Sequence, residues 1–389
     1  MYIIAKDGSG DFTSIQEAID AISNNSNTTL SSSTLPSPTS TITSAPTILI
    51  VRTGEYHERV VINKDNLRIV GESPDSTIIT YSNENFIETQ QISPVTNPNI
   101  CTLLISGNDI EIENLTIRSS CAVAVQVTGD RVVWRNCHFT PTQTLNHENS
   151  AIATSTAQGE GNMPTGVRIP TWYLCGDSTM ADYPSSRAPM TGWGQMLPQV
   201  LAERHPDHTI YVQNCAVNGR SSKSFIDEGR LHFIELCLRP GDKIFIQFGH
   251  NDEKLDPARH TSSRRTYPAR LSLFIATALR HGAQPILLTP IARRRFDPDG
   301  RLIPTHGRYP AAMRALARRR NILLLDMEIA TSNYLKSLGA NRSKALYNWV
   351  PAGHPNYPDG ASDNTHLSQE GALCFARLAL DLLEQTQKL

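Results

Sequence analysis

The strongest constraint on the fold is a change in sequence pattern near residue 170. Before it, short apolar runs typical of β-strands alternate with Gly, Asn and Asp turns, and helical spacing is seen at residues 11–22. After it, strand-like runs alternate with longer helical patterns. A chain of 389 residues also exceeds the usual size of one domain. We therefore predict two domains, residues 1–145 and 169–389, joined by a polar linker at 146–168.

The first half contains nine strand-like runs between residues 48 and 134 with no helical pattern between them. Such closely spaced strands favour a parallel β-helix, in which each coil needs neighbouring coils to be stable. An antiparallel sandwich is compatible with the same pattern.

Four segments of the first half resemble the opening of the pectin methylesterase family, at residues 6–12, 51–56, 70–73 and 122–124. This resemblance implies a right-handed parallel β-helix. The family removes methyl esters from pectin with two aspartates and supporting glutamines. Here one such glutamine is replaced by Cys121, and the family's Gln-Asp-Thr-Leu motif has become Gln143-Thr144-Leu145 without its aspartate. We therefore expect a partial β-helix without esterase activity of its own, acting as an inert scaffold or as a weak pectin binder.

The second half has the alternation expected of a parallel sheet covered by helices on both faces. Ser368 is the predicted N-cap of its last helix. The predicted strands are 171–175, 209–213, 243–248, 285–289 and 321–325, and the predicted helices are 194–204, 228–238, 267–281, 309–319 and 368–387.

Four polar motifs of the second half follow predicted strands or precede the last helix. They are Gly176-Asp177-Ser178, Asn218-Gly219, Gly249-His250-Asn251-Asp252 and Asp363-x-x-His366. Each motif alone also fits a turn, a strand end or a helix cap, and the Gly-x-Ser-x-Gly elbow of ordinary α/β-hydrolases is absent. Because the carboxyl ends of parallel strands meet at one edge, the motifs together indicate a serine nucleophile with its base and oxyanion donors.

In this order, the motifs resemble those of the SGNH, or GDSL-like, hydrolase superfamily. Segments 176–180, 192–195, 218–225, 247–252, 289–294 and 363–368 resemble its rhamnogalacturonan acetylesterases. The resemblance implies a flavodoxin-like three-layer α/β/α domain. It also implies catalysis by Ser178, His366 and Asp363, with an oxyanion hole formed by Ser178, Gly219 and Asn251.

The implied reaction is removal of acetyl groups from pectic polysaccharide through an acetyl-serine intermediate. This chemistry needs no metal and no organic cofactor. Two alternatives stay open: a lipase or thioesterase of the same superfamily, and a non-catalytic pectin-binding protein.

Charge is divided unevenly along the chain. Residues 1–166 hold 8 Lys and Arg against 17 Asp and Glu, whereas residues 167–389 hold 28 against 20. A basic second half suits a polyanionic substrate such as acetylated pectic oligo- or polysaccharide. We expect Arg220, Arg293 and Arg294 to contact uronate carboxylates and Trp193 to stack on a sugar, although packing or surface exposure explains each equally well.

Hydropathy and the amino terminus bear on other partners and on the compartment. No apolar run approaches the roughly 20 residues of a membrane helix, and we expect neither a membrane nor a nucleic-acid partner. The amino terminus shows no signal peptide, so we expect a cytoplasmic protein, or a secreted one if a leader is missing from this sequence. The sequence does not specify the acetylated hydroxyl, the preferred chain length or the oligomeric state.

Overall fold

The computed structural model describes residues 1–22, 45–81, 101–119, 123–129, 131–141, 169–206 and 210–386. The chain divides into two compact units, Met1–Val167 and Arg168–Leu389. The predicted linker at 146–168 lies outside the described residues, so the predicted domain boundaries stay a prediction.

The first unit contains one helix and twelve strands in its described ranges. The helix is α1 (Ile15–Ala21), and the strands are β1 (Tyr2–Ile4), β2 (Thr47–Val51), β3 (Gly54–His57), β4 (Val60–Ile62), β5 (Leu67–Gly71), β6 (Thr77–Tyr81), β7 (Cys101–Ile105), β8 (Ile110–Glu113), β9 (Thr116–Ser119), β10 (Val123–Val127), β11 (Val132–Arg135) and β12 (His138–Pro141).

These strands form three parallel sheets, ordered β1-β2-β5-β8-β11, β12-β9-β6-β3 and β10-β7-β4. From β2 onward the chain visits the three sheets in turn, so every third strand stacks on the previous coil. Leu49, Ile69 and Ile112 pair in register through β2, β5 and β8, and all three are buried. This apolar ladder explains the stacking and confirms the predicted partial parallel β-helix; its right-handedness stays a prediction.

The second unit contains seven strands and seven α-helices in its described ranges. The strands are β13 (Thr171–Gly176), β14 (Tyr211–Asn214), β15 (Lys243–Gln247), β16 (Gln284–Leu288), β17 (Leu323–Leu325), β18 (Tyr347–Val350) and β19 (Ala361–Leu367), and the helices are α2 (Trp193–Arg204), α3 (Ser222–Asp227), α4 (Arg230–Cys237), α5 (Thr266–Arg280), α6 (Tyr309–Arg320), α7 (Met327–Arg342) and α8 (Gln369–Thr386).

Five strands of the second unit form a parallel sheet in the order β14-β13-β15-β16-β17. Counted along the chain this is the order 2-1-3-4-5 of flavodoxin-like sheets, which bind ligands outside the carboxyl ends of their strands. Helices α2, α7 and α8 form one packed group, and α3, α4, α5 and α6 form another. The predicted α/β/α class is confirmed. None of the helices in the described ranges carries an apolar stretch long enough to span a bilayer.

Helix α8 begins directly after β19. The hydroxyl of Ser368 accepts a hydrogen bond from the Gly371 backbone N–H at 3.1 Å, as expected of the predicted N-cap. A Cβ atom at Gly371 would lie 1.8 Å from the Leu346 carbonyl oxygen. The helix start is therefore fixed by a cap and by close backbone packing.

A buried ion pair in the first unit yields a stability prediction. Arg68 and Glu113 are joined at 3.0 and 3.2 Å, and their side chains are 6% and 8% exposed. Breaking such a pair costs about 3–5 kcal/mol. Since Glu111 remains 3.6 Å from Arg68, we expect Glu113→Ala to destabilise the unit by about 3 kcal/mol. Faster amide hydrogen exchange in β5 and β8 of the full chain would show this loss.

A matched control is Glu55→Ala, which removes the half-exposed partner of Arg118. Pairs of this kind contribute about 0–1 kcal/mol. Equal exchange rates in the two variants would contradict the assigned role of the buried pair.

Candidate active site

A tight turn after β13, which lies between β14 and β15 in the sheet, carries Ser178. The Asp177 carboxylate accepts hydrogen bonds from the backbone N–H and the hydroxyl of Thr179, at 3.0 and 2.9 Å. The Asp177 carbonyl accepts the N–H of Met180 at 3.1 Å. A Cβ at Gly176 would lie 2.8 Å from the Met180 sulfur, so a glycine suits this close packing. The turn therefore holds Ser178 at the carboxyl edge of the sheet.

Buried side chains support this turn from behind. The Gln247 amide donates to the Thr179 hydroxyl at 3.0 Å and accepts the Trp193 indole N–H at 3.1 Å. Trp193 is fully buried. The prediction that Trp193 stacks on a sugar is therefore wrong, because its ring packs in the core and its N–H supports the turn. The Tyr183 hydroxyl adds a bond of 2.8 Å to the Ser178 carbonyl, which the sequence did not suggest.

Three predicted catalytic side chains meet in one chain of hydrogen bonds. His366 Nε2 lies 2.9 Å from Ser178 Oγ, and His366 Nδ1 lies 2.6 Å from an Asp363 oxygen. Because an ionised carboxylate can only accept, Nδ1 donates to Asp363 and Nε2 is left to accept the serine proton. This is the geometry of a serine nucleophile with an oriented base.

Asp363 and His366 lie in a bulge of strand β19. Trp349 pairs with Ser362 and Tyr347 pairs with Leu367 in the β18–β19 hairpin, so residues 363–366 face a single residue of β18. In a regular strand, side chains three residues apart point to opposite faces. The bulge removes that restriction. The other Asp363 oxygen accepts the N–H groups of Thr365 and His366 at 2.7 and 3.0 Å.

Arg294 anchors this bulge. Its backbone N–H donates to the Asn364 carbonyl at 2.9 Å, and its guanidinium donates to the Asn364 side-chain oxygen at 2.7 Å. The remaining guanidinium nitrogens donate to Ser343 and Ala340. Arg294 is only 8% exposed. The prediction that Arg294 contacts a uronate carboxylate is therefore wrong, because every nitrogen of its guanidinium already donates a hydrogen bond within the protein.

The local electrostatics keep Asp363 ionised. Partial burial alone would raise the pKa of Asp363, but the hydrogen bond and charge of His366 and two backbone N–H groups hold that pKa below its ordinary value. A carboxylate that stays charged can orient the imidazole and stabilise the imidazolium formed during reaction.

The predicted oxyanion donors lie on the neighbouring loops. Gly219 has φ +78°, a conformation that favours glycine. Within the described chain, the backbone N–H groups of Ser178 and Gly219 donate to no protein acceptor. The Asn251 amide donates to the Arg220 carbonyl at 3.0 Å, which uses one of its two hydrogens. These loops can therefore still offer three N–H donors.

Asp252 holds the two donor loops together. Its carboxylate accepts the Ser222 backbone N–H at the start of α3, at 3.1 Å, and the Thr261 hydroxyl at 2.9 Å. Burial raises the pKa of Asp252 to about 6 despite these hydrogen bonds. Asp252 thus ties the loop of Gly219 to the loop of Asn251.

The other two arginines predicted to contact uronates, Arg220 and Arg293, each pair with a glutamate. Arg220 contacts both oxygens of Glu228 at 3.1 and 3.0 Å. Arg293 lies 2.5 Å from Glu253 and lines a pocket beside the bulge. Their predicted contacts with substrate stay predictions.

Comparisons with known families match the two units of the chain separately. Residues 174–373 match the GDSL-like lipase/acylhydrolase family, and residues 1–151 match the pectinesterase family.

Relatives exist for each half. The rhamnogalacturonan acetylesterase RhgT of Bacillus subtilis is 42% identical over 55% of this chain and 89% of its own length. The probable rhamnogalacturonan acetylesterase YesY of the same organism is 36% identical over 53% of this chain and 88% of its own. Pectinesterase 31 of Arabidopsis thaliana is 29% identical over 36% of this chain and 42% of its own.

The hydrogen-bonded geometry predicts a reactive serine. A fluorophosphonate probe, which labels activated serine hydroxyls, is expected to modify Ser178. His366→Ala should abolish labelling, and Asp363→Asn should slow it by about 10⁴-fold because the wrong imidazole tautomer is favoured. Peptide mass spectrometry of the labelled full chain measures both effects.

Ser337→Ala, which removes an exposed serine of α7, is the control and should keep wild-type labelling. Modification of several serines at equal rates would contradict the activation of Ser178.

Proposed function

This chain belongs to the GDSL-like lipase/acylhydrolase family, and on that premise we propose that it is a serine esterase that removes acetyl groups from rhamnogalacturonan. The observation that carries the proposal is the chain of hydrogen bonds from Ser178 through His366 to Asp363. The relatives of the second unit that are named rhamnogalacturonan acetylesterases support the choice of acyl group and polymer.

The first half of the reaction forms an acetyl-enzyme. His366 Nε2 takes the proton of Ser178 as its oxygen bonds to the acetyl carbonyl carbon. The N–H groups of Ser178, Gly219 and Asn251 stabilise the resulting oxyanion. The bond from carbon to the sugar oxygen then breaks, and the imidazolium returns its proton to that oxygen, which leaves as a hydroxyl.

The second half of the reaction restores the serine. Water enters the site vacated by the sugar and gives a proton to His366 as its oxygen attacks the acetyl carbon. The bond to Ser178 then breaks, Ser178 recovers the proton from His366, and acetate departs. Asp363 keeps its charge throughout and stabilises the imidazolium in both halves.

We propose that the first unit does not hydrolyse methyl esters. It matches the pectinesterase family over residues 1–151, but the motif at Gln143-Thr144-Leu145 lacks its aspartate and the later block with the nucleophilic aspartate is absent. The pectinesterase-like coils would then serve as a scaffold or a weak binder of the same polymer.

Product analysis tests this division of activity. Incubation of the full chain with acetylated and methylated pectic polymer is expected to release acetate without methanol. Ser178→Ala should lower acetate release by at least 10³-fold, because the nucleophile is lost. Methanol release, or substantial acetate release by the variant, would overturn the proposal.

The oxyanion role of Asn251 gives a second prediction. Asn251→Ala should lower kcat by about 10²–10³-fold, the usual effect of losing one oxyanion donor. Because the interaction forms mainly in the transition state, KM should change little. Asn333→Ala, on the exposed surface of α7, serves as the control. A kcat within threefold of wild type in Asn251→Ala would contradict the role.

A further inference from the structure

A pocket of about 330 Å³ opens beside the catalytic bulge, lined by Arg293, Arg294, Arg295, Thr305 and Asn364. Its volume lies within the range of about 300–1,000 Å³ typical of small-molecule sites. Asn364 lies between Asp363 and His366 in the bulge, so the pocket shares its wall with the catalytic loop. A group bound there would lie beside the bulge that carries Asp363 and His366.

The three consecutive arginines of this pocket differ in their partners. Arg294 is buried and bonded to the protein through every guanidinium nitrogen. Arg293 is neutralised by Glu253 at 2.5 Å. Arg295 is exposed, and its side chain has no hydrogen bond or ion pair within the described part of the chain. Its guanidinium is therefore available to a ligand.

The other polar groups of the pocket are also suited to donate. The Asn364 side-chain oxygen already accepts from Arg294 and from the Trp349 indole, at 2.7 and 3.1 Å. Its NH₂ group is therefore left to donate to a ligand. The Thr305 hydroxyl is buried and has no hydrogen-bond partner among the described residues.

Hydrogen-bond donors that surround an available guanidinium are suited to bind an anion. Arginine binds carboxylates through two parallel hydrogen bonds, which adds geometric selectivity to the charge attraction. We propose that this pocket binds the carboxylate of a uronic-acid unit next to the acetylated sugar, with Arg295 as the residue that sets the preference for acidic substrates. This inference rests on the proposed function, because a neutral acetylated polymer would offer no such carboxylate.

The test compares two oligosaccharides that differ only in charge. One is an acetylated rhamnogalacturonan oligosaccharide, and the other is the same material with its carboxyl groups reduced to alcohols. We expect the wild type to show at least tenfold higher kcat/KM on the acidic form, mainly through KM. Arg295→Gln should abolish this preference. Arg295→Lys should keep part of it, because lysine supplies the positive charge without the two parallel hydrogen bonds of the guanidinium.

The matched control is Arg301→Gln, an arginine with a side chain 79% exposed and outside the pocket. It should keep the wild-type preference. Equal wild-type rates on the two oligosaccharides, or an unchanged preference in Arg295→Gln, would overturn the inference while leaving the proposed function intact.

Direct binding separates the two proposals. In the full chain with Ser178→Ala, calorimetry should show at least tenfold tighter binding of the acidic than of the reduced oligosaccharide. Adding Arg295→Gln should remove the difference. If the wild type releases no acetate from either oligosaccharide, the proposed function fails, and this measurement still decides whether the pocket binds uronate. Equal binding of the two forms would overturn the pocket assignment.

Discussion

The hydrogen bond between Ser178 and His366 is the interaction on which the second unit's chemistry depends, and it joins residues 188 positions apart. Neither side chain would hold this geometry on regular backbone. The turn after β13 fixes the serine through Asp177 and Thr179. The bulge in β19 fixes the imidazole, and Asp363 stabilises the bulge through two backbone N–H groups as well as orienting the ring. The same carboxylate therefore acts on both structure and chemistry.

Much of this site follows from the sequence, because its motifs occur where parallel strands end. The order of Ser178, Gly219 and Asn251 along the chain becomes nearness in space once β13, β14 and β15 lie side by side. The bulge was not predictable in this way. Residues 363–366 contain no Gly or Pro to mark an irregularity, and the irregularity arises from pairing with β18.

The adjacent arginines Arg294 and Arg295 show that sequence alone does not predict which of two identical neighbouring residues is buried. Nothing in the sequence separates Arg294 from Arg295, yet one is buried and the other exposed. Their roles depend on partners that are distant along the chain, chiefly Ser343 and Asn364 for Arg294. Trp193 shows the same limit, because an aromatic side chain fits a sugar-binding surface and a core equally well until burial is known.

The two units relate fold to function in different ways. The coils of the β-helix stack through an apolar ladder such as Leu49, Ile69 and Ile112, and stacking of this kind can persist without catalytic residues. In the second unit, the side chains that shape the site also hold its loops, since Asp252 ties two of them and Arg294 anchors a third. Loss of the site there would also loosen the structure around it. The family match over the first unit therefore supports the stacked coils alone, whereas in the second unit the hydrogen bonds of Ser178, His366 and Asp363 support the chemistry as well.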